Sequence, residues 1–245
     1  MLIARLYADH LFDTTKKALD LFGTLERHDA FVALSRFGAH EPLRMAYDKG
    51  NLHQACELLV GGGRSGDILL KGSKHKFLCW IRWRSIGVSE WVFWVDDKVL
   101  QKPALTHAFM GLLHDLVSRY HVIFGGVATE AEWHAKNWKV SEDESTEMKL
   151  GLDGIDRKFF PGLYWVTIFG KRITVPNIRQ NAALRPFLAV FGNDDHATTI
   201  VTTSDPFDFN NPERKRCEAA IRAVVGSEHF FDLHDLEKTP MEISY

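Results

Sequence analysis

Two runs of large aromatic and β-branched residues, Phe77-Leu-Cys-Trp-Ile-Arg-Trp83 and Glu90-Trp-Val-Phe-Trp-Val95, constrain this chain most. Such residues favour a pleated, half-buried surface, and the turn-like Ser85-Ile-Gly-Val-Ser89 between them predicts an antiparallel hairpin. Strand alternation places Trp80 with Arg82 on one face and Trp83 with Cys79 on the other. Large rings on a sheet usually pack into a core, but this split leaves some tryptophan for a partner.

The hairpin is followed by Pro103 to Tyr120, in which Leu105, Phe109, Leu112, Leu113, Leu116 and Tyr120 form one helical stripe, with proline near the start. Val122-Ile-Phe-Gly-Gly-Val127 then returns as a strand, giving the order strand, strand, helix, strand. Upstream, Asp13 or Thr14 caps a helix over about 14–26, and Leu52–Val60 forms a second one that stops at Gly61-Gly62-Gly63. Residues 31–48 carry no clear period. Downstream, Gly162–Phe169, Ile173–Val175 and Thr198–Thr203 read as strands, Pro212–Val225 as a helix, and Phe230–Leu233 as a last short strand.

This order predicts an α+β fold, a mainly antiparallel sheet with helices packed on one face, arranged as two split α/β units side by side. The 245 residues form a single globular domain, with sub-units at about 1–140 and 150–245. With 45% hydrophobic and 25% charged residues, the chain can bury a sizeable core. A net charge of −2 and a pI near 6.6 give no global field drawing it to nucleic acid or anionic lipid. The N-terminus, broken by Arg5 and Asp9, lacks a signal-peptide core, and no run approaches a bilayer span, so a cytoplasmic protein without membrane contact is expected.

Catalytic and metal chemistry finds little support. Cys56, Cys79 and Cys217 are far apart and odd in number, in keeping with reduced structural thiols. Gly61-Gly62-Gly63-Arg64-Ser65-Gly66 has the free amides of a phosphate cradle, but a helix runs into it and the Gly-Lys-Ser/Thr signature is missing. Of twelve histidines, His107 and His114 share a helix side, and Glu130 with His134 form an i,i+4 pair. Neither pair has a third ligand placed by spacing, so solvated helix faces are the better reading. Glu147-Met-Lys149 is a lone ExK of the kind seen in restriction-type nucleases, without a framed upstream aspartate. No metal or cofactor is expected.

Charge is more informative. Glu142, Asp143, Glu144, Glu147, Asp153 and Asp156 face only Lys149 over the same stretch. Asp194, Asp195, Asp205 and Asp208 occur with no lysine or arginine from Asn193 to Phe209. These acidic patches are either solvated loops or contacts for a basic protein surface, where opposite charge speeds encounter. Trp133 and Trp138, flanking His134-Ala-Lys-Asn137, are expected to be the exposed aromatics. The predicted partner-binding set is therefore Glu142, Asp143, Glu144, Glu147, Trp133, Trp138, Asp194, Asp195, Asp205 and Asp208.

Phe31-Val-Ala-Leu-Ser-Arg-Phe-Gly38, the Trp-rich hairpin and Phe160-Pro-Gly-Leu-Tyr-Trp-Val-Thr-Ile-Phe-Gly170, taken with the overall layout, resemble bacterial polymorphic-toxin immunity proteins. The nearest is the immunity protein 52 family, with type VI secretion immunity proteins as neighbours. The resemblance rests on hydrophobic and glycine positions, which specify fold more than activity. It implies a cytoplasmic, non-enzymatic protein that binds a cognate toxin with a restriction-endonuclease-like domain and blocks its active site or its access to DNA. The alternative from the residues alone is a small hydrolase or nuclease-like enzyme using histidines and carboxylates.

Overall fold

The computed structural model describes residues 1–85, 88–140, 147–149, 160, 162–170 and 197–230. The chain divides into two compact units, Met1–Val122 and Ile123–Tyr245. Both are built of antiparallel strands and helices, an α+β architecture.

The first unit runs β1 (Leu2–Ala8), α1 (Thr15–Arg27), β2 (Leu34–Gly38), β3 (Met45–Ala46), α2 (Leu52–Val60), β4 (Ser65–Gly72), β5 (Leu78–Arg84), β6 (Ser89–Val95) and α3 (Pro103–Arg119). Its strands lie in the order β1-β6-β5-β4-β2-β3, each neighbouring pair antiparallel. The Trp-rich hairpin forms as the sequence predicts, with Ile81 opposite Trp91 and Cys79 opposite Phe93.

Alternation then sorts the side chains. Cys79, Ile81 and Trp83 are buried, as are Trp91, Phe93 and Val95 across from them, whereas Leu78, Trp80 and Arg82 are half-buried and Arg84 is exposed. The helices cover the buried face. Trp83 Nε1 donates to the Leu59 carbonyl of α2 at 2.6 Å, Phe109 of α3 meets Phe31 at 5.6 Å, and Tyr120 meets Trp91 at 5.0 Å. Phe109, Leu112, Leu113, Leu116 and Tyr120 of the predicted stripe are buried; Leu105, in the first turn, is half-buried.

α1 starts where Thr14 Oγ1 accepts from Lys17 N, and it is tied to α3 by Arg119 on Asp20 and by His28 Nε2 on Asp115 at 2.8 Å. α2 keeps its predicted bounds and ends in a left-handed Gly61. Gly61, Gly62 and Gly63 all have positive φ, and they lead from a helix C-terminus into β4. That geometry presents carbonyl oxygens rather than the amides a phosphate needs. Residues 31–48, which show no period, hold the short strands β2 and β3. β1 was not apparent from the sequence; six of its seven residues are buried, so no polar alternation marks it.

The second unit contains β7 (Val122–Thr129), whose first residue belongs to the preceding unit, α4 (Glu130–Asn137), β8 (Trp138–Val140), β9 (Glu147–Lys149), β10 (Val166–Gly170), β11 (Ala197–Val201) and α5 (Pro212–Val225). β10 pairs antiparallel with β7 on one side and β11 on the other, while β8 and β9 form a separate ribbon. The strand expected over 162–169 begins only at Val166, because Leu163 to Trp165 turn to bond elsewhere. Tyr164 N donates to Thr167 Oγ1 at 2.9 Å, and Trp165 O accepts from Thr202 N at 2.9 Å. Phe230 makes one parallel bridge to Phe160; residues 173–175 and 231–233 lie outside the described residues.

Candidate partner-binding surfaces

Asp205 and Asp208 lie on the short connection between β11 and α5, and both are exposed. This connection is hydrogen-bonded at nearly every step. Buried Thr202 donates through Oγ1 to the Trp165 carbonyl at 3.2 Å, and Trp165 Nε1 donates to the Thr203 carbonyl at 2.9 Å. Asp205 N donates to Thr203 Oγ1 at 3.2 Å, and Asp205 Oδ1 accepts from Phe207 N at 2.9 Å, the local bonding that aspartate favours in turns. Asp208 Oδ2 accepts from Asn211 Nδ2 at 3.3 Å, and Asn211 Oδ1 in turn caps α5 on Glu213 N at 2.8 Å.

The same bonds hold Phe207 outward, 50% exposed, between the two carboxylates; among the described residues Leu19, at 43%, is the other exposed large hydrophobic. No cation lies within ion-pair distance of Asp205 or Asp208 among the described residues. The connection therefore offers an apolar anchor between two open negative charges, on a backbone that is already ordered.

Other predicted contact residues fall elsewhere. Trp133 is not exposed. It is 5% accessible on α4, with its ring 4.0 Å from that of Tyr164. Of the polar neighbours that suggested exposure, His134 is exposed, but Lys136 is half-buried and Asn137 is buried, so the indole turns inward together with part of its polar company. Trp138 and Glu147 lie in the β8–β9 ribbon, Trp138 opposite Lys149 and Glu147 opposite Val140. Glu142, Asp143, Glu144, Asp194 and Asp195 lie outside the described residues. His107 is exposed and His114 half-buried on α3, and Glu130 and His134 are exposed on α4. Among the described residues no group of three His, Cys, Asp or Glu side chains is placed to hold a metal ion, and no helix is long and apolar enough to cross a membrane.

A buried charge cluster fixes α5, and with it the acidic connection. Glu132 on α4 and Arg214 on α5 are 0% and 1% exposed and bond directly through Oε1 and Nη2. Lys136 Nζ reaches Glu132 at 2.8 Å, Glu218 at 2.7 Å and the Leu163 carbonyl at 2.6 Å, and Arg214 Nε reaches Glu218 at 3.2 Å. Burial pushes the Glu132 carboxyl up, against the pull of Lys136 and Arg214. Two acids and two bases thus close on one another across α4, α5 and the segment before β10.

The fold resembles that of a bacterial secretion protein. Among solved structures, the Pseudomonas aeruginosa T6SS (type VI secretion system) protein PA0821 superposes with a TM-score of 0.59 at 14% identity, covering 100% of this chain and 78% of that one. No family model matches the sequence, and no curated protein matches it either. At such identity the likeness is one of fold. It joins this α+β architecture to a protein of that system, and the surface chemistry must be argued from the side chains of this chain.

Proposed function

We propose that this protein is a cytoplasmic immunity protein that binds and neutralises a bacterial toxin of the type VI secretion kind. It acts without catalysis, metal or cofactor. The observation that carries the reading is the ordered acidic connection, with Phe207 half exposed between the open carboxylates of Asp205 and Asp208. Interfaces concentrate their energy in buried aromatic anchors, and rim charges steer encounter. The fold likeness to a T6SS protein and the sequence resemblance to immunity proteins both favour a toxin as the partner.

The chemistry of that partner follows from charge. A nuclease-type toxin must hold phosphates, so the surface around its active site is basic. Two carboxylates on a rigid turn occupy such a surface as phosphates would, and Phe207 supplies apolar burial that a nucleic-acid backbone does not. Occupation of this surface denies the toxin its substrate.

The test is binding kinetics against the toxin encoded beside this protein, at low and physiological salt. D205K/D208K slows association at least about tenfold at low salt and flattens its salt dependence. F207A chiefly speeds dissociation, with a loss of about 2 kcal/mol or more if it is the anchor. F207A keeps the thermal stability of the parent, because its side chain is half exposed. D205K/D208K also gives up the bonds from Phe207 N and Asn211 Nδ2 and loses about 1 kcal/mol; D205N/D208N, which retains both acceptors, isolates the effect of charge. Unchanged kinetics in F207A and in D205K/D208K would remove this turn from the interface.

A further inference from the structure

The first unit carries a surface of opposite sign. On the sheet face turned away from the helices, Val92 and Glu90 of β6, opposite Trp80 and Arg82, are each 2% exposed, so the open part lies over β5, β4 and β2. There Trp80 is half-buried at the centre of an apolar patch, with Leu69 directly opposite it on β4 and Leu78 opposite Trp94 at one end. Arg36, Lys71 and Arg84 surround this apolar patch, all exposed. None of the three has a carboxylate within ion-pair distance among the described residues. Arg36 and Lys71 stand directly opposite each other on neighbouring strands. Like charges in that relation destabilise a sheet, so this face is held cationic against its own stability within a chain of net charge −2.

The centre is also rigid. Trp80 Nε1 donates to Asp67 Oδ1, and the Arg82 guanidinium lies 4.7 Å over the Trp80 ring while its Nε bonds Glu90. Tryptophan and arginine held in this way dominate the energetics of protein interfaces, since little side-chain entropy remains to be lost.

We propose that this face, centred on Trp80 and rimmed by Arg36, Lys71 and Arg84, docks an acidic protein segment that also carries aromatic side chains. Three uncommitted cations call for carboxylates, and the Leu69, Leu78 and Trp94 patch calls for apolar groups between them. Single-stranded nucleic acid fits less well. Arg82 covers the Trp80 ring, which leaves no open stacking platform, and the exposed Asp67 carboxylate at the centre repels a phosphate backbone. A polypeptide tolerates that carboxylate, because its backbone N–H groups donate to it. The inference is independent of the toxin-binding turn, which has the opposite charge.

The indole N–H resonance of Trp80, assigned by its loss in W80F, reports on the centre of the face. A synthetic peptide rich in glutamate and phenylalanine should shift it saturably, while the buried Trp83 and Trp91 resonances stay in place. R36E/K71E/R84E, confined to exposed side chains, should raise the dissociation constant at least about tenfold, and a peptide with glutamine in place of glutamate should lose as much. The proposal is overturned if the acidic peptide leaves the Trp80 resonance unmoved, or if the triple variant or the glutamine peptide binds equally well. It is also overturned if oligothymidylate shifts the resonance at lower concentration than the peptide does, which would make the face a nucleic-acid surface.

Discussion

Gly66 sits where the end of α2 meets the indole of Trp83. A Cβ built there would fall 1.6 Å from the Leu59 carbonyl oxygen and 2.5 Å from Trp83 Nε1, the two atoms joined by the 2.6 Å hydrogen bond that closes α2 on β5. G66A should therefore push helix and strand apart and strand a buried indole N–H, at a cost of at least about 2 kcal/mol in chemical denaturation. A loss below half of that would mean the α2 terminus moves freely. His10 presents a second case. Its ring lies 5.0 Å from Phe12 and 5.1 Å from Tyr120, and burial lowers its pKa from the ordinary 6.5. The folded state prefers the neutral ring, so the stability it contributes is present above pH 6.5 and is lost as the pH falls through the depressed folded value. H10F, with no proton to take up, should show a flatter loss of thermal stability over that range; an unchanged pH profile would discount His10.

At the scale of elements, the parts legible in the sequence are those whose burial is decided by local period. Trp80 and Trp83 divide between faces as alternation requires, and α2, α3 and α5 lie within a residue of their expected bounds, because a glycine, a proline or an apolar stripe marks them. What escaped depends on partners far away in the chain. Trp133 is buried by Tyr164, Glu132 by Arg214, and neither pairing leaves a local mark. Phe207 lies between two aspartates that the sequence did single out, yet an aromatic side chain reads by default as core. The Glu132–Arg214 pair makes a prediction for α4 and α5 together. R214M leaves Glu132 buried beside Lys136 alone and should cost about 3 to 5 kcal/mol, whereas E132M/R214M, which removes both charges, should recover part of that loss. Equal destabilisation by the two variants would mean that packing volume rather than charge ties α5 down.

For the whole molecule, a net charge of −2, the difference of 30 basic and 32 acidic residues, conceals an uneven distribution in which the turn at Asp205 and Asp208 is acidic and the face around Trp80 cationic. Net charge therefore says little about how this protein meets a partner; local sign decides. A second acidic group, Glu142, Asp143, Glu144 and Glu147, carries more charge than the turn and is its rival for the basic surface of the proposed toxin. The two can be separated because long-range attraction and close contact leave different kinetic traces. Charges that only steer change the association rate and its salt dependence, whereas contacts fixed beside an anchor also change dissociation. Reversing the four residues 142, 143, 144 and 147 together should slow association at low salt, fade toward parental rates at physiological salt, and leave dissociation alone. D205K/D208K should affect both rates and keep a measurable deficit when salt is raised, because its charges flank Phe207 and are shielded once the interface closes. If the pattern is reversed, with the four-residue variant dissociating faster and the turn variant altered only in association, the contact belongs to the 142–147 segment and the turn serves only to steer.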